Sequence, residues 1–280
     1  MHTEKKVHKQ DPVISGVYGG GPIYKNGATA IPNLKNSGFS EVIVWNISID
    51  NSGDLNFNQE FPLVANGVYI GDATYADFRA AMASLKAAPS RITRLTFSVG
   101  SSNFGVFQTI MALINAQGTG PDSILYKNFQ ALKTAFPCVD AIDFDDENCY
   151  DADSMTRFAV MLGDLGFEVS LCPYQINDFW TAVAASINTQ RPGTVTVVHL
   201  QCYAGGAGQS PCSGWNFGSV PVYPGLADES CSPDQVGSAM SAWSQSCGIS
   251  GGFIWLYDHF CDDLALAQLY AGAINQMQLR

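Results

Sequence analysis

Apolar residues along the chain fall into two alternating kinds of run. Short stretches rich in Val, Ile, Phe and Tyr, such as 13–18 (VISGVY), 41–49 (EVIVWNISI) and 92–100 (ITRLTFSVG), are dense enough to be buried on both faces and predict strands. Longer stretches with apolar residues at every third or fourth position separate them. Segment 74–88 (TYADFRAAMASLKAA) predicts a helix opened by Thr74, with Asp77 three residues on as a variant of the capping box. Helical patterns follow over 104–117 and 123–136, and then a strand within 138–150. A helix over 153–166, a strand over 167–174, a helix over 177–190 and a strand over 194–203 continue the alternation. Beyond a loop rich in Gly, Pro and Ser, 219–223 (SVPVY) is a seventh strand. Ser232, Pro233 and Gln235 then supply an N-cap, a first-turn proline and a capping-box partner for a helix, and 251–258 and 262–277 form the last strand and helix.

Eight such strands, mostly separated by helices, imply a parallel sheet, and eight units imply closure into a (β/α)₈ TIM barrel. The length of 280 residues suits one such domain over 13–280, preceded by a polar flexible leader at 1–12. A doubly wound open sheet is the competing architecture. Against it, the first strand runs into GGGPIY, without the G-x-G-x-x-G turn that would open a nucleotide-binding helix.

Charge and cysteine content narrow the setting. A net charge of −11 argues against nucleic-acid or anionic-membrane partners, which need clustered Lys and Arg, and the one basic cluster (EKKVHK) lies in the leader. No stretch reaches the ~20 apolar residues of a membrane span. The eight cysteines, at 138, 149, 172, 202, 212, 231, 247 and 261, suggest an oxidising compartment and a secreted protein whose signal has been removed, although no spacing identifies pairs. They form no C-x-x-C pair, and His2, His8, His199 and His259 are scattered, so neither a metal nor a cofactor is expected. The chain is expected to be a monomer.

The strand within CVDAIDFDDENCY (138–150) poses the chemical question, because five carboxylates fall in eight residues. Side chains alternate along a strand, so Asp143, Asp145 and Glu147 share one face with Ala141, and Asp140, Ile142, Phe144 and Asp146 share the other. In a barrel the first set points inward, its members ~6.6 Å apart and climbing toward the C-terminal mouth. Like charges at that spacing raise one another's pKa, and a carboxyl kept protonated near neutral pH can serve as a proton donor. A calcium loop of the EF-hand type fails here, since Asn148 stands where Gly is needed and Ser154 where Glu is needed. A solvated acidic turn accounts for Asp151 and Asp153 but not for acids alternating with Ile142 and Phe144.

The run DAIDFDDE fits DxxDxDxE, which resembles the fourth-strand signature of family 18 glycoside hydrolases, the chitinases and endo-β-N-acetylglucosaminidases. LTFSVGSS resembles that family's third-strand SxGG, with Ser101 in place of the second Gly. HLQCYAGGAGQSPC and GGFIW resemble the sixth and eighth strands of plant class III chitinases.

The resemblance implies retaining hydrolysis of β-1,4-linked N-acetylglucosamine polymers by substrate-assisted catalysis. Glu147 would be the general acid, Asp145 would hold the acetamido N–H, Asp143 would tune Asp145 from beneath, and Tyr203 would hold the acetamido carbonyl. Trp255 would floor the sugar site, with Gln201 and Tyr18 lining it. Three positions depart from the family pattern: Ala204 follows Tyr203 where Asp or Asn is usual, Ala141 replaces Gly, and Asp146 replaces a large apolar residue. Other readings stay open. These are an endo-β-N-acetylglucosaminidase acting on glycans, a non-catalytic chitinase-like carbohydrate-binding protein, and a two-carboxylate glycosidase for which Asp258 is the candidate second acid.

Overall fold

The computed structural model describes residues 12–102 and 104–277, so of the expected leader only Pro12 is among the described residues. One sheet holds eleven strands. They are β1 (Ile14–Gly19), β2 (Glu41–Ile49), β3 (Leu55–Phe57), β4 (Phe61–Ala65), β5 (Val68–Tyr69) and β6 (Arg94–Gly100), followed by β7 (Ala141–Asp145), β8 (Glu168–Leu171), β9 (Val195–Gln201), β10 (Val222–Ala227) and β11 (Gly251–Trp255).

β1 lies between β2 and β11, with Val17 opposite Val42 on one side and Ile254 on the other. These pairings close β1, β2 and β6 through β11 into an all-parallel eight-stranded barrel. All eight predicted strands are present in it. Helices α1 (Gly21–Lys25), α2 (Gly27–Ser37), α3 (Phe78–Leu85), α4 (Val106–Gln117), α5 (Ile124–Ala135), α6 (Ala152–Asp164), α7 (Asn177–Gln190), α8 (Pro233–Cys247) and α9 (Leu264–Asn275) fill the connections.

Capping chemistry sets several of these helix starts. Ser232 accepts from the Gln235 N–H while the Gln235 side chain accepts from the Ser232 N–H, completing the predicted box. Ser123, Asp151 and Asp263 cap α5, α6 and α9 in the simpler way. Thr74 does not cap α3. It closes a 3₁₀ turn over Gly71–Ala73, its N–H bonded to the Gly71 carbonyl, and the α-helix begins only at Phe78 after Asp77, which makes no side-chain cap. The seventh barrel strand also starts later than predicted, at Val222, where pairing with β9 begins opposite Val198, and it carries Tyr223, Gly225 and Ala227 on one face. A Cβ on Gly225 would stand 2.0 Å from the Phe253 ring, which occupies that volume of the lumen.

Two hydrophobic groupings result. The large one lies between barrel and helices and takes the outward faces of the strands, Ile142 and Phe144 among them. The small one, Tyr18, Ile43, Cys172, Tyr203, Ala227 and Phe253, sits inside the barrel toward its C-terminal end. The antiparallel ribbon β3–β5 extends the C-terminal end of β2, with Ile47 opposite Phe57 and Ile49 opposite Leu55.

Candidate active site

The acidic strand lies as its alternation predicts. Ala141, Asp143 and Asp145 are buried on the inner face and Glu147 is half-buried where the chain leaves the strand. Register explains what meets Asp143, because it lies opposite Ser98 on β6 and Ser170 on β8. Asp143 Oδ2 accepts from the Tyr18 hydroxyl at 2.7 Å. Its Oδ1 accepts from Ser170 Oγ at 2.5 Å and faces His199 Nδ1 at 2.9 Å. Asp145 Oδ1 accepts from the Gln201 amide at 3.1 Å, and that amide also reaches the Cys172 carbonyl.

A cleft of about 500 Å³ opens over these groups. It is lined by Asp145 and Glu147 together with Tyr18, Gln201, Tyr203 and Trp255, so six of the seven residues singled out from sequence share one cavity. Asp143 lies beneath it. Trp255 stacks on Tyr203 with ring centroids 6.0 Å apart and an interplanar angle of 16°, and Trp45 meets Trp255 edge-on at 5.5 Å. This volume and its mix of aromatic walls with a few convergent polar groups are those of a small-ligand site.

Electrostatics separates the acids. Burial pushes Asp145 well above the usual carboxylate range, and the charges of Glu147, Asp143 and Asp146 push it further, against the Gln201 hydrogen bond. Burial likewise raises Glu147, helped by the Asp146 charge and opposed by Gln201. A raised carboxyl facing an aromatic cleft can deliver a proton near neutral pH. Burial also raises Tyr203 and Cys172, which keeps both side chains neutral.

Asp146 points away from the cleft and is 2% exposed. Its Oδ1 accepts from the backbone N–H groups of Asn148 (3.1 Å) and Cys149 (2.9 Å), and its Oδ2 from that of Tyr150 (2.8 Å). The partner that a charge on this face requires is therefore the loop immediately after Glu147. Burial raises the Asp146 pKa while the three amides pull it down.

Gly100 is the conformational counterpart in the third-strand motif. Its φ is +91°, and a Cβ there would lie 2.6 Å from the Asp145 carbonyl oxygen, so the backbones of β6 and β7 approach as only glycine permits. Ala204, just past Tyr203, also has a positive φ of 46° but is exposed at the cleft rim.

Asp258 is not among the residues lining the cleft. Its Oδ1 accepts from the Gly20 N–H at 2.7 Å, committing it to the turn between β1 and α1. Among the described residues no group of three or more His, Cys, Asp and Glu side chains is placed to hold a metal ion, and no helix is long and apolar enough to cross a membrane. Cys212 and Cys247 form a disulfide that ties the loop after β9 to the end of α8; Cys138, Cys149, Cys172, Cys202, Cys231 and Cys261 are free.

Sequence reading missed Trp45, Tyr174, Cys172, Ser170, Glu41 and His199. The signal for Glu41, Ile43 and Trp45 on β2, and for His199, Gln201 and Tyr203 on and just after β9, was the same alternation that placed the acids.

No protein-family description and no curated protein matches the chain. Solved structures share its fold. The chain is similar to a chitinase from Bacteroides thetaiotaomicron, with a TM-score of 0.62 and 12% identity over 94% of this chain and 97% of that one. It is similar to a GH18 chitinase from Cycas revoluta solved in complex with (GlcNAc)3, with a TM-score of 0.59 and 10% identity over 93% and 99%. The spore cortex-lytic enzyme SleL of Bacillus megaterium QM B1551 is also similar, with a TM-score of 0.58 and 10% identity over 96% of this chain and 75% of that one. At these identities the likeness is one of fold.

Proposed function

We propose that the chain is a retaining glycoside hydrolase that cleaves β-1,4-linked N-acetylglucosamine polymers by substrate-assisted catalysis. The observation that carries this reading is Glu147, half-buried in an aromatic cleft with its pKa raised, two residues from the buried Asp145.

The sugar ring lies on Trp255. Asp145 accepts a hydrogen bond from the acetamido N–H, and the Tyr203 hydroxyl donates to the acetamido carbonyl. Glu147 gives its proton to the glycosidic oxygen as the bond from that oxygen to the anomeric carbon breaks, and the acetamido oxygen forms a new bond to the same carbon from the opposite face. The leaving sugar departs with the proton, and the bound half carries an oxazolinium positive charge stabilised by Asp145. Glu147, now a carboxylate, takes a proton from water as its oxygen adds to the anomeric carbon and the oxazolinium ring opens. Two displacements give retention. Holding the nucleophile within the substrate supplies the effective molarity that a protein carboxylate would otherwise provide.

The test compares the protein with a Glu147→Gln variant on short chitooligosaccharides. The variant should lose about 10²–10⁴-fold in kcat, the usual worth of a positioned acid, while still binding the oligosaccharide. Equal hydrolysis by both proteins, or an initial α-anomer, would refute the assignment; binding by both with hydrolysis by neither would identify a carbohydrate-binding protein instead. Parallel assays on chitin, a high-mannose glycan and peptidoglycan assign the substrate.

A further inference from the structure

Beneath the cleft the barrel interior holds a column of buried charge that the proposed reaction does not use. Glu41 at the first position of β2 is 1% exposed, His199 on β9 is 1% exposed and Asp143 is fully buried. His199 stands between the two acids, with Nδ1 2.9 Å from Asp143 Oδ1 and Nε2 3.4 Å from Glu41 Oε2. Below, Glu41 Oε1 lies 3.0 Å from Arg94 Nε and accepts from Thr96 Oγ1 at 3.3 Å. Arg94 in turn pairs with Glu168 at the start of β8.

Arginine, Glu41, His199 and Asp143 lead from the N-terminal end of the barrel to the layer directly under Asp145.

Both ring nitrogens of His199 face a carboxylate. A neutral imidazole has one N–H and satisfies one acid only, leaving the other nitrogen's lone pair against the second carboxylate; the doubly protonated ring donates to both. The other groups facing the ring do not compete for it. Tyr18 from β1 and Tyr223 from β10 present aromatic rings at 6.0 and 6.4 Å, and Phe253 from β11 packs at 5.5 Å. Burial acts against a charged ring here, but the charge of Glu41 and the hydrogen bonds to Asp143 and Glu41 outweigh it and push the ring up to about 9.

With His199 in place, Asp143 receives three donors, from Tyr18, Ser170 and His199. Both of its oxygens are then engaged as acceptors.

We propose that His199 is a positioning residue: as a cation held from below by Glu41, it donates to Asp143 and, with Tyr18 and Ser170, locks that carboxyl directly under Asp145, placing a positive charge beneath the acid cluster. This rests on the hydrolase reading for its catalytic consequence, but the charge state of the ring is independent of it. Glu41 and Arg94 act through His199, and none of the three touches the cleft.

The first test is an NMR titration of the intact protein with labelled histidine. The His199 ring should remain doubly protonated at pH 7 and titrate well above the ordinary histidine value of ~6.5, and Glu41→Gln should lower its midpoint by a unit or more. A neutral single tautomer at pH 7 in the unmodified protein overturns the proposal, whether or not any variant folds. The second test is kinetic. His199→Gln, assayed well below its unfolding temperature, should lose about tenfold in kcat with KM within twofold. The acid limb of its kcat/KM profile should move to higher pH by about one unit, because losing a cation favours protonation of neighbouring acids. A profile superimposable on the parent's overturns the positioning role and leaves His199 structural. Absence of hydrolysis in the unmodified protein on every oligosaccharide refutes the hydrolase reading alone, since the titration is read without substrate.

Discussion

Replacing Asp146 probes the loop that carries Glu147. Asp146→Ala removes the acceptor of three backbone amides at once, those of Asn148, Cys149 and Tyr150. Asn148 is exposed, so its N–H regains water, whereas Cys149 and Tyr150 are half-buried and recover less. At about 1–3 kcal/mol for each buried group left unpaired, the variant should lose about 3 kcal/mol of stability. Asp146→Asn separates charge from geometry. Its carbonyl oxygen can keep the two bonds made by Oδ1, but its NH₂ then faces the Tyr150 N–H, donor against donor, at a cost of about 2 kcal/mol. An apolar residue, as the family pattern carries at this position, should fare no better than alanine, because it offers no acceptor. Urea unfolding followed by tryptophan fluorescence gives the stabilities by linear extrapolation. Under the proposed hydrolase reading, initial rates on a chitooligosaccharide report Glu147, which a loop displaced by ~1 Å would misplace enough to cost about 10²-fold. If Asp146→Ala stays within 0.5 kcal/mol of the parent and keeps its rate, the three bonds do not hold the loop and the reasoning fails.

Two further outcomes are expected. Ala204 holds a left-handed conformation at φ 46° that asparagine tolerates better, so Ala204→Asn should raise stability by up to ~1 kcal/mol in the same urea assay, and a loss would refute the strain. Stability should also fall on the alkaline side through His199. Its pKa, raised to about 9 in the fold against an ordinary 6.5, gives a contribution fully present below pH 6.5 and lost as pH rises through about 9, on the order of 3 kcal/mol. The buried thiols act in the same direction, so the quantity to compare is the loss between pH 6 and 9.5 in the parent against His199→Gln; equal losses would contradict a charged ring.

The barrel was legible because its strands are apolar runs spaced by helical patterns, and the acids because period-two alternation cannot place Asp143 and Asp145 outside while Ile142 and Phe144 are buried. Residues 21–37 were not legible as helices. Pro32 lies inside α2 and neither α1 nor α2 has a side-chain cap, which outweighs the start and stop signals that Pro22 and the left-handed Gly38 supply. The ribbon β3–β5 escaped notice because its strands are short and Pro62 interrupts the strand pattern. Asp146 could not be explained from sequence, since its partners are amides aimed by a turn in which Tyr150 takes a φ of 53°. Glu41 and His199 were within reach of the alternation rule, but their pairing depends on which strands face each other across the closed barrel.

The charged column under the cleft has a further consequence for how this protein can change. Ion pairs in a dry interior are often less stabilising than well-packed apolar residues of the same volume. Mutagenesis that rewards heat resistance alone can therefore improve on the column only by replacing Glu41, Arg94, His199 and Asp143 together with hydrophobic side chains, because removing some of them leaves a buried charge without its partner. Libraries screened for thermal tolerance need an oligosaccharide-binding or turnover assay beside the melting curve, because that joint replacement removes Asp143 from beneath the cleft.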